Sequence, residues 1–366
     1  MRPFVPALAV MLAAGCSIGD VRRPPPSAAP PSPSARPTPA EVRQVRVPVP
    51  RHYERSIVEF TDAVRGYAQF IHCGNPDAVS VPALDCSAIL LTTADGGRSW
   101  QRLRHPEPLA KDHQLYAGAG TLALLAEPHG WYVSADAGRT FRHEPVRAQQ
   151  QPAAVRALNG RFQLCCDGDS PPQIGEWVGD RFRPVPAQRR LVNPTSVAYD
   201  QGRLYVAGVA KGRVEASWSH DEGRTWRATV VSEPEGELSR VQLAVGRGDA
   251  WLIGYGPDDP TVFPQLWRAR EDRWEKVDVR RHPRRLTSVV PLGAGLLAVT
   301  GPSGSGMVSV GDGAGVYNDV NWPIRDTNLR LLPDGTLLAG GSDGTAWLGS
   351  GLFGDWRWIK LVLDRT

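Results

Sequence analysis

Thr93-Ala94-Asp95-Gly96-Gly97-Arg98-Ser99-Trp100 returns twice further along the chain, as Ser134-Ala135-Asp136-Ala137-Gly138-Arg139-Thr140-Phe141 and as Ser219-His220-Asp221-Glu222-Gly223-Arg224-Thr225-Trp226. Each copy reads Ser/Thr-x-Asp-x-Gly-x-Ser/Thr-aromatic and stands between two strand-like runs. The Asp positions are 41 apart (136−95) and then 85 apart (221−136), one step followed by about two. Self-similarity at such a period marks a repeat architecture.

The motif has the chemistry of a turn. A short carboxylate accepts backbone N–H bonds from the residues just after it. Gly97, Gly138 and Gly223 stand where the chain needs positive φ. Ser99, Thr140 and Thr225 offer hydroxyls to the remaining turn groups. Trp100, Phe141 and Trp226 then open the next strand and bury a large ring against the neighbouring repeat. Asp95, Asp136 and Asp221 are therefore read as structural rather than catalytic.

This pattern resembles the Asp-box, or BNR repeat, of the sialidase-like β-propellers, a group that also contains sortilin-type receptors, photosystem assembly factors and bacterial exported proteins. The resemblance implies that each box is structural and lies between the third and fourth strands of a blade. Degenerate copies extend the series: Gly175 to Phe182 with Asp180 in the turn, Leu266 to Trp274, Met307 to Gly313, and Trp347 to Trp356. Seven turns predict an all-β, seven-bladed β-propeller, with six or eight blades as the alternatives. In the fourth repeat, strands are expected at Thr195–Tyr199, Arg203–Ala207, Glu215–Trp218 and Trp226–Val231. No amphipathic helix is expected.

The start of the chain reads as a targeting segment. A basic Met1-Arg2 precedes the apolar run Phe4–Ala14, and Leu12-Ala13-Ala14-Gly15-Cys16 resembles a lipobox, with its Leu one place early. Residues 1–15 are expected to be a lipoprotein signal peptide and Cys16 the lipidated residue, with plain secretion as the alternative. Residues 16–51, rich in Pro, Ser, Ala and Arg, cannot build a core and predict a disordered stalk. Residues 52–366 are left for the propeller.

A net charge of +4 is mild, and Lys111, Lys211, Lys276 and Lys360 are the only lysines. The charges are dispersed, and no nucleic-acid partner is expected. The run Arg280-Arg281-His282-Pro283-Arg284-Arg285 could touch an anionic polymer but is read as a solvated loop between two blades. Besides Cys16 there are Cys73, Cys86, Cys165 and Cys166, which allow three pairings. A Cys73–Cys86 bridge pinning loop 72–87 is the first expectation, leaving Cys165 and Cys166 as a vicinal pair. Crossed bridges and a metal site at Cys165-Cys166-Asp167 are the alternatives.

Sialidases, by the same resemblance, use three arginines, a Tyr–Glu pair and an acid/base Asp around the funnel, and their first arginine stands in an Arg-Ile-Pro motif. That motif is missing here. Arg65, Tyr67, Asp77 and Glu127 are the nearest funnel candidates, and no catalytic residue, metal or cofactor is assigned. The expectation is an exported, membrane-anchored propeller facing the extracytoplasmic side. It would bind or scaffold an envelope protein or cell-wall glycan through loops 72–87, 167–174 and 255–264. A sialidase-like glycoside hydrolase is the alternative.

Overall fold

A computed structural model describes residues 40–53, 55–73, 86–109, 112–145, 151–165, 172–179, 181–189, 193–311, 314–340, 345–351 and 355–365. The chain divides into Met1–Arg36 and Pro37–Thr366. The first unit, with the expected signal peptide and Cys16, lies outside the described residues.

The second unit is a run of antiparallel meanders. After β1 (Glu41–Val49) come β2 (Arg55–Phe60), β3 (Gly66–Cys73), β4 (Cys86–Thr93) and β5 (Gln101–Leu103), then β6 (Asp112–Ala117), β7 (Leu122–Glu127), β8 (Gly130–Ser134) and β9 (Arg142–Glu144). The third meander opens with a helix, α1 (Ala153–Leu158), and continues with β10 (Phe162–Cys165), β11 (Gln173–Val178) and β12 (Arg181–Pro184). The fourth contains β13 (Pro194–Asp200), β14 (Arg203–Ala210), β15 (Arg213–Ser219) and β16 (Arg227–Val231). The fifth contains β17 (Arg240–Gly246), β18 (Asp249–Tyr255), β19 (Gln265–Arg270) and β20 (Arg273–Arg280). The sixth contains β21 (Ser288–Gly293), β22 (Leu296–Gly301), β23 (Gly304–Val310) and β24 (Ala314–Val320), and the last β25 (Asn328–Leu331), β26 (Leu337–Gly340), β27 (Ala346–Ser350) and β28 (Arg357–Arg365).

Among the described residues there are thus seven meanders, and all seven turns singled out in the sequence fall between the last two strands of a meander. Burial explains the composition of the strands. Second strands such as β18 are buried at every residue, because both faces meet a neighbouring sheet, and they read as unbroken apolar runs. Fourth strands such as β24 alternate between buried and exposed positions over most of their length.

Seven clusters of buried side chains are each shared by two consecutive meanders. Tyr67 and Leu90 meet Leu115 and Leu124, Trp131 and Val133 meet Val155, and Phe162 and Ile174 meet Leu204 and Val206. Tyr205 and Trp218 meet Leu243 and Leu252, Trp251 and Ile253 meet Leu297 and Val299, and Ala298 and Trp322 meet Leu337 and Trp358. Finally Leu338 and Leu348 of the seventh meander meet Phe60 and Phe70 of the first.

A second device follows the same circuit. Asp200 accepts the backbone N–H of Gly248 at 3.1 Å, Asp249 that of Gly295 at 2.6 Å, and Asp334 that of Ala63 at 2.7 Å. Each carboxylate stands at the first hairpin of one meander and each N–H at the first hairpin of the next. Between fourth strands of consecutive meanders, β16 pairs in parallel with β20 through Val230↔Arg273 and Val231↔Trp274, and β20 with β24 from Asp278↔Ala314 to Arg280↔Val316.

Two expectations are corrected. The stalk was expected to reach residue 51, yet β1 lies in parallel along β28 with nine residue pairs, from Glu41↔Arg357 to Val49↔Arg365. Val45, Val47 and Val49 alternate inward and are buried, so these residues have a core to enter despite their Arg and Pro neighbours. The expected absence of a helix also fails. Six residues, Ala153–Leu158, form α1 where the other meanders have a first strand. Arg156 holds it in place, lying 4.2 Å over the Trp177 ring and donating to Gly179 O at 2.6 Å.

Candidate functional site

The three boxes share one hydrogen-bond set. The hydroxyl of Thr93, Ser134 or Ser219 donates to the carboxylate two residues on, at 2.8, 2.7 and 2.7 Å. It also accepts the N–H of Gly97, Gly138 or Gly223 at 2.9, 2.7 and 2.8 Å. The same carboxylates accept the N–H groups of Ser99, Thr140 and Thr225 at 2.9, 2.9 and 2.8 Å. They accept the hydroxyls of those residues at 2.6, 2.7 and 2.6 Å.

The Ser99 hydroxyl and amide hold the Asp95 carboxyl down at about 2. The Thr140 amide and hydroxyl hold Asp136 well below the ordinary carboxylate range, and the Thr225 hydroxyl and amide do the same for Asp221. Acceptors this fully engaged are unsuited to proton transfer at neutral pH. Gly138 has φ +87°, and a Cβ there would stand 2.8 Å from Leu103 Cδ1. Gly97 and Gly223 share that backbone region, and Ala137 and Glu222 just before the glycines do too. Trp100, Phe141 and Trp226 stand one residue before the fourth strand and pack into the cluster shared with the preceding meander.

Cys73 and Cys86 form a disulfide and face each other as the last register pair of β3 and β4. The loop they close, with Asp77, lies outside the described residues. Cys165 is also disulfide-bonded; Cys166 and Asp167 are outside the described residues. No group of three or more His, Cys, Asp or Glu among the described residues could hold a metal ion. No helix among them is long and apolar enough to cross a membrane.

Of the funnel candidates, Arg65, Tyr67 and Glu127 are among the described residues. Arg65 is in the β2–β3 hairpin, paired with Asp62 at 2.8 Å. Tyr67 is buried on β3. Glu127 ends β7, facing Asp112 at the opposite end of the strands from Arg65. What the first strands do bring together is Glu59 on β2 and Arg330 on β25, as an ion pair that also reaches Phe60 O. Burial raises the Glu59 carboxyl, against the lowering effect of Arg330. This pair was missed in the sequence, where its signal is a charge flanked by apolar residues in each first strand. It supplies one carboxylate, whereas the usual glycosidase pair needs two.

The most completely built surface lies where the second strand of the fifth meander joins its third. The segment 256–264 is fixed to the connection that follows β20. Phe263 stacks on His282 with centroids 4.3 Å apart. The Phe263 N–H donates to Arg284 O at 3.0 Å, and the Leu286 N–H donates to Thr261 O at 2.7 Å. Asp259 pairs with Arg285 at 3.2 Å, while the Thr261 hydroxyl and amide hold its carboxyl below the usual range. Arg280, Arg281 and Arg284 remain exposed, with no ion pair or side-chain hydrogen bond among the described residues. Exposed Val262 stands beside them. The loop 255–264 was anticipated; the basic run was read as a solvated loop, and its tie to that loop follows only from the fold.

No protein-family model matches the chain, and no curated protein matches it. Among solved structures, YCF48 from Cyanidioschyzon merolae aligns at 13% identity over 81% of this chain and 96% of its own, with a TM-score of 0.43. A YCF48 bound to a D1 peptide aligns at 14% over 85% and 82%, with a TM-score of 0.33. Apo AztD from Citrobacter koseri aligns at 14% over 84% and 86%, with a TM-score of 0.42. These neighbours are β-propeller proteins.

Proposed function

We propose that the chain is an exported β-propeller, held at the membrane through a lipid on Cys16, that binds an anionic partner and performs no chemistry of its own. The seven meanders would be seven blades, supported by the circuit of seven shared clusters that returns from the seventh meander to the first. β1 on β28 would be the strand that fastens the ring.

The binding role rests on one observation: Arg280, Arg281 and Arg284 are cationic, exposed and unpaired among the described residues, on a backbone held by the Phe263–His282 stack and the Asp259–Arg285 pair. Guanidinium groups on a rigid frame lose little freedom on meeting carboxylates or phosphates. The partner is then an acidic envelope protein or an anionic wall polymer.

The test uses residues 40–366, which keep β1. Wild-type protein and the R280E/R281E/R284E variant are immobilised and offered detergent-solubilised envelope and purified wall polymer in separate arms. Retention by the wild type that is lost in the variant and weakens with added salt supports the proposal. Equal retention by both, or none by the wild type, overturns it.

A further inference from the structure

The seam between the sixth and seventh meanders holds a cavity of about 240 Å³. Its walls are apolar, with Leu292, Leu296, Met307 and Trp356 among the lining residues. Arg247, from the β17–β18 hairpin, also lines it. This arginine is exposed, and two glycines border its course. A methyl group at Gly293 would stand 2.8 Å from its Cβ, and one at Gly335 would stand 2.9 Å from its Nη1. The side chain therefore runs from the hairpin of the sixth meander to that of the seventh, and two glycines with positive φ make room for it.

One charged donor at this cavity has no acceptor among the described residues: the Arg247 guanidinium has neither an ion pair nor a hydrogen bond among them. Asp334, next to Gly335, is engaged by the N–H groups of Ala63 and Thr336 at 2.7 and 3.0 Å. An apolar cavity with a single cationic donor suits a ligand that is apolar along its body and anionic at one end. A sugar would leave hydroxyls unpaired against these walls, and a plain hydrocarbon would leave the guanidinium as it is.

We propose that the seam binds a small carboxylic acid with an apolar body, its carboxylate paired with Arg247 and its body held between Met307 and Trp356. This site is separate from the basic surface of the fifth meander, and the two proposals stand or fall independently.

The test is calorimetric titration of residues 40–366 with sodium octanoate, with octan-1-ol as the uncharged probe. The expected result is saturable octanoate binding that weakens at least about tenfold in R247Q, and octan-1-ol binding weaker by a similar factor. M307W, which fills the cavity, abolishes binding. R247Q alters an exposed side chain and reads out the charge even if M307W does not fold. No saturable binding at millimolar octanoate overturns the proposal, as does R247Q binding equal to wild type.

Discussion

Asp249→Ala removes the carboxylate that joins the fifth meander to the sixth. Asp249 accepts from Arg268 at 2.6 Å through one oxygen and from the Gly295 N–H at 2.6 Å through the other. The side chains of Arg268 and Asp249 are 13% and 9% exposed, so solvent screens the pair little. Without Asp249, a guanidinium and an amide are left buried and unpaired. Breaking such a pair costs about 3–5 kcal/mol. A unit of this size changes stability by roughly 0.7 kcal/mol per kelvin near its midpoint, so about 4 kcal/mol lowers Tm by about 6 °C.

The assay is calorimetry on residues 40–366, with urea unfolding as the second probe. Asp249→Asn keeps one acceptor and loses less. Asp249→Ala/Arg268→Met removes both charges and recovers part of the loss, which separates an orphaned cation from lost packing. A loss below about 1 kcal/mol for Asp249→Ala would refute the reasoning.

Val47, fully buried on β1, loses two methyl groups in Val47→Ala; about 2 kcal/mol is expected in urea unfolding, and an unchanged midpoint would mean that β1 is not fastened to β28. Replacing Cys73 and Cys86 together by Ser releases a bridge with a sequence separation of 13, and loop-closure entropy gives a loss of about 3 kcal/mol in the same assay. His105 donates from Nδ1 to Pro106 O at 2.7 Å, so its Nε2 accepts from the Gln69 amide at 2.8 Å. Burial lowers its pKa from 6.5, so the unfolded chain takes up the proton first and stability falls as pH drops below about 6.5. His105→Gln flattens that part of a Tm-against-pH series; an unaltered slope places its cause elsewhere.

The boxes were legible because their chemistry is local. Ser134, Asp136, Gly138 and Thr140 bond one another within seven residues, so their spacing carries the whole geometry. The Cys73–Cys86 bridge was legible for the same reason, as one loop with a cysteine at either end. β1 was not. Its Val45-x-Val47-x-Val49 alternation is sound strand patterning, but its partner is over three hundred residues away and its composition continues the stalk. α1 has six residues, too few for a helical period to show. The Glu59–Arg330 pair, the hairpin carboxylates and the reach of Arg247 across two glycines depend on which turns become neighbours. No local window contains that information.

The pairing of Glu41–Val49 with Arg357–Arg365 also sets an order of events. The earlier of these two strands must wait for the later one, so the meanders between them can form while the fastening stays open. Contacts this distant in sequence are slow to close, and until then Glu41–Val49 is a free strand edge. Arg43 and Arg46 are exposed along it, and Pro48 removes one backbone donor. A growing chain that meets other copies of itself is thereby discouraged from lending this strand to a neighbouring copy.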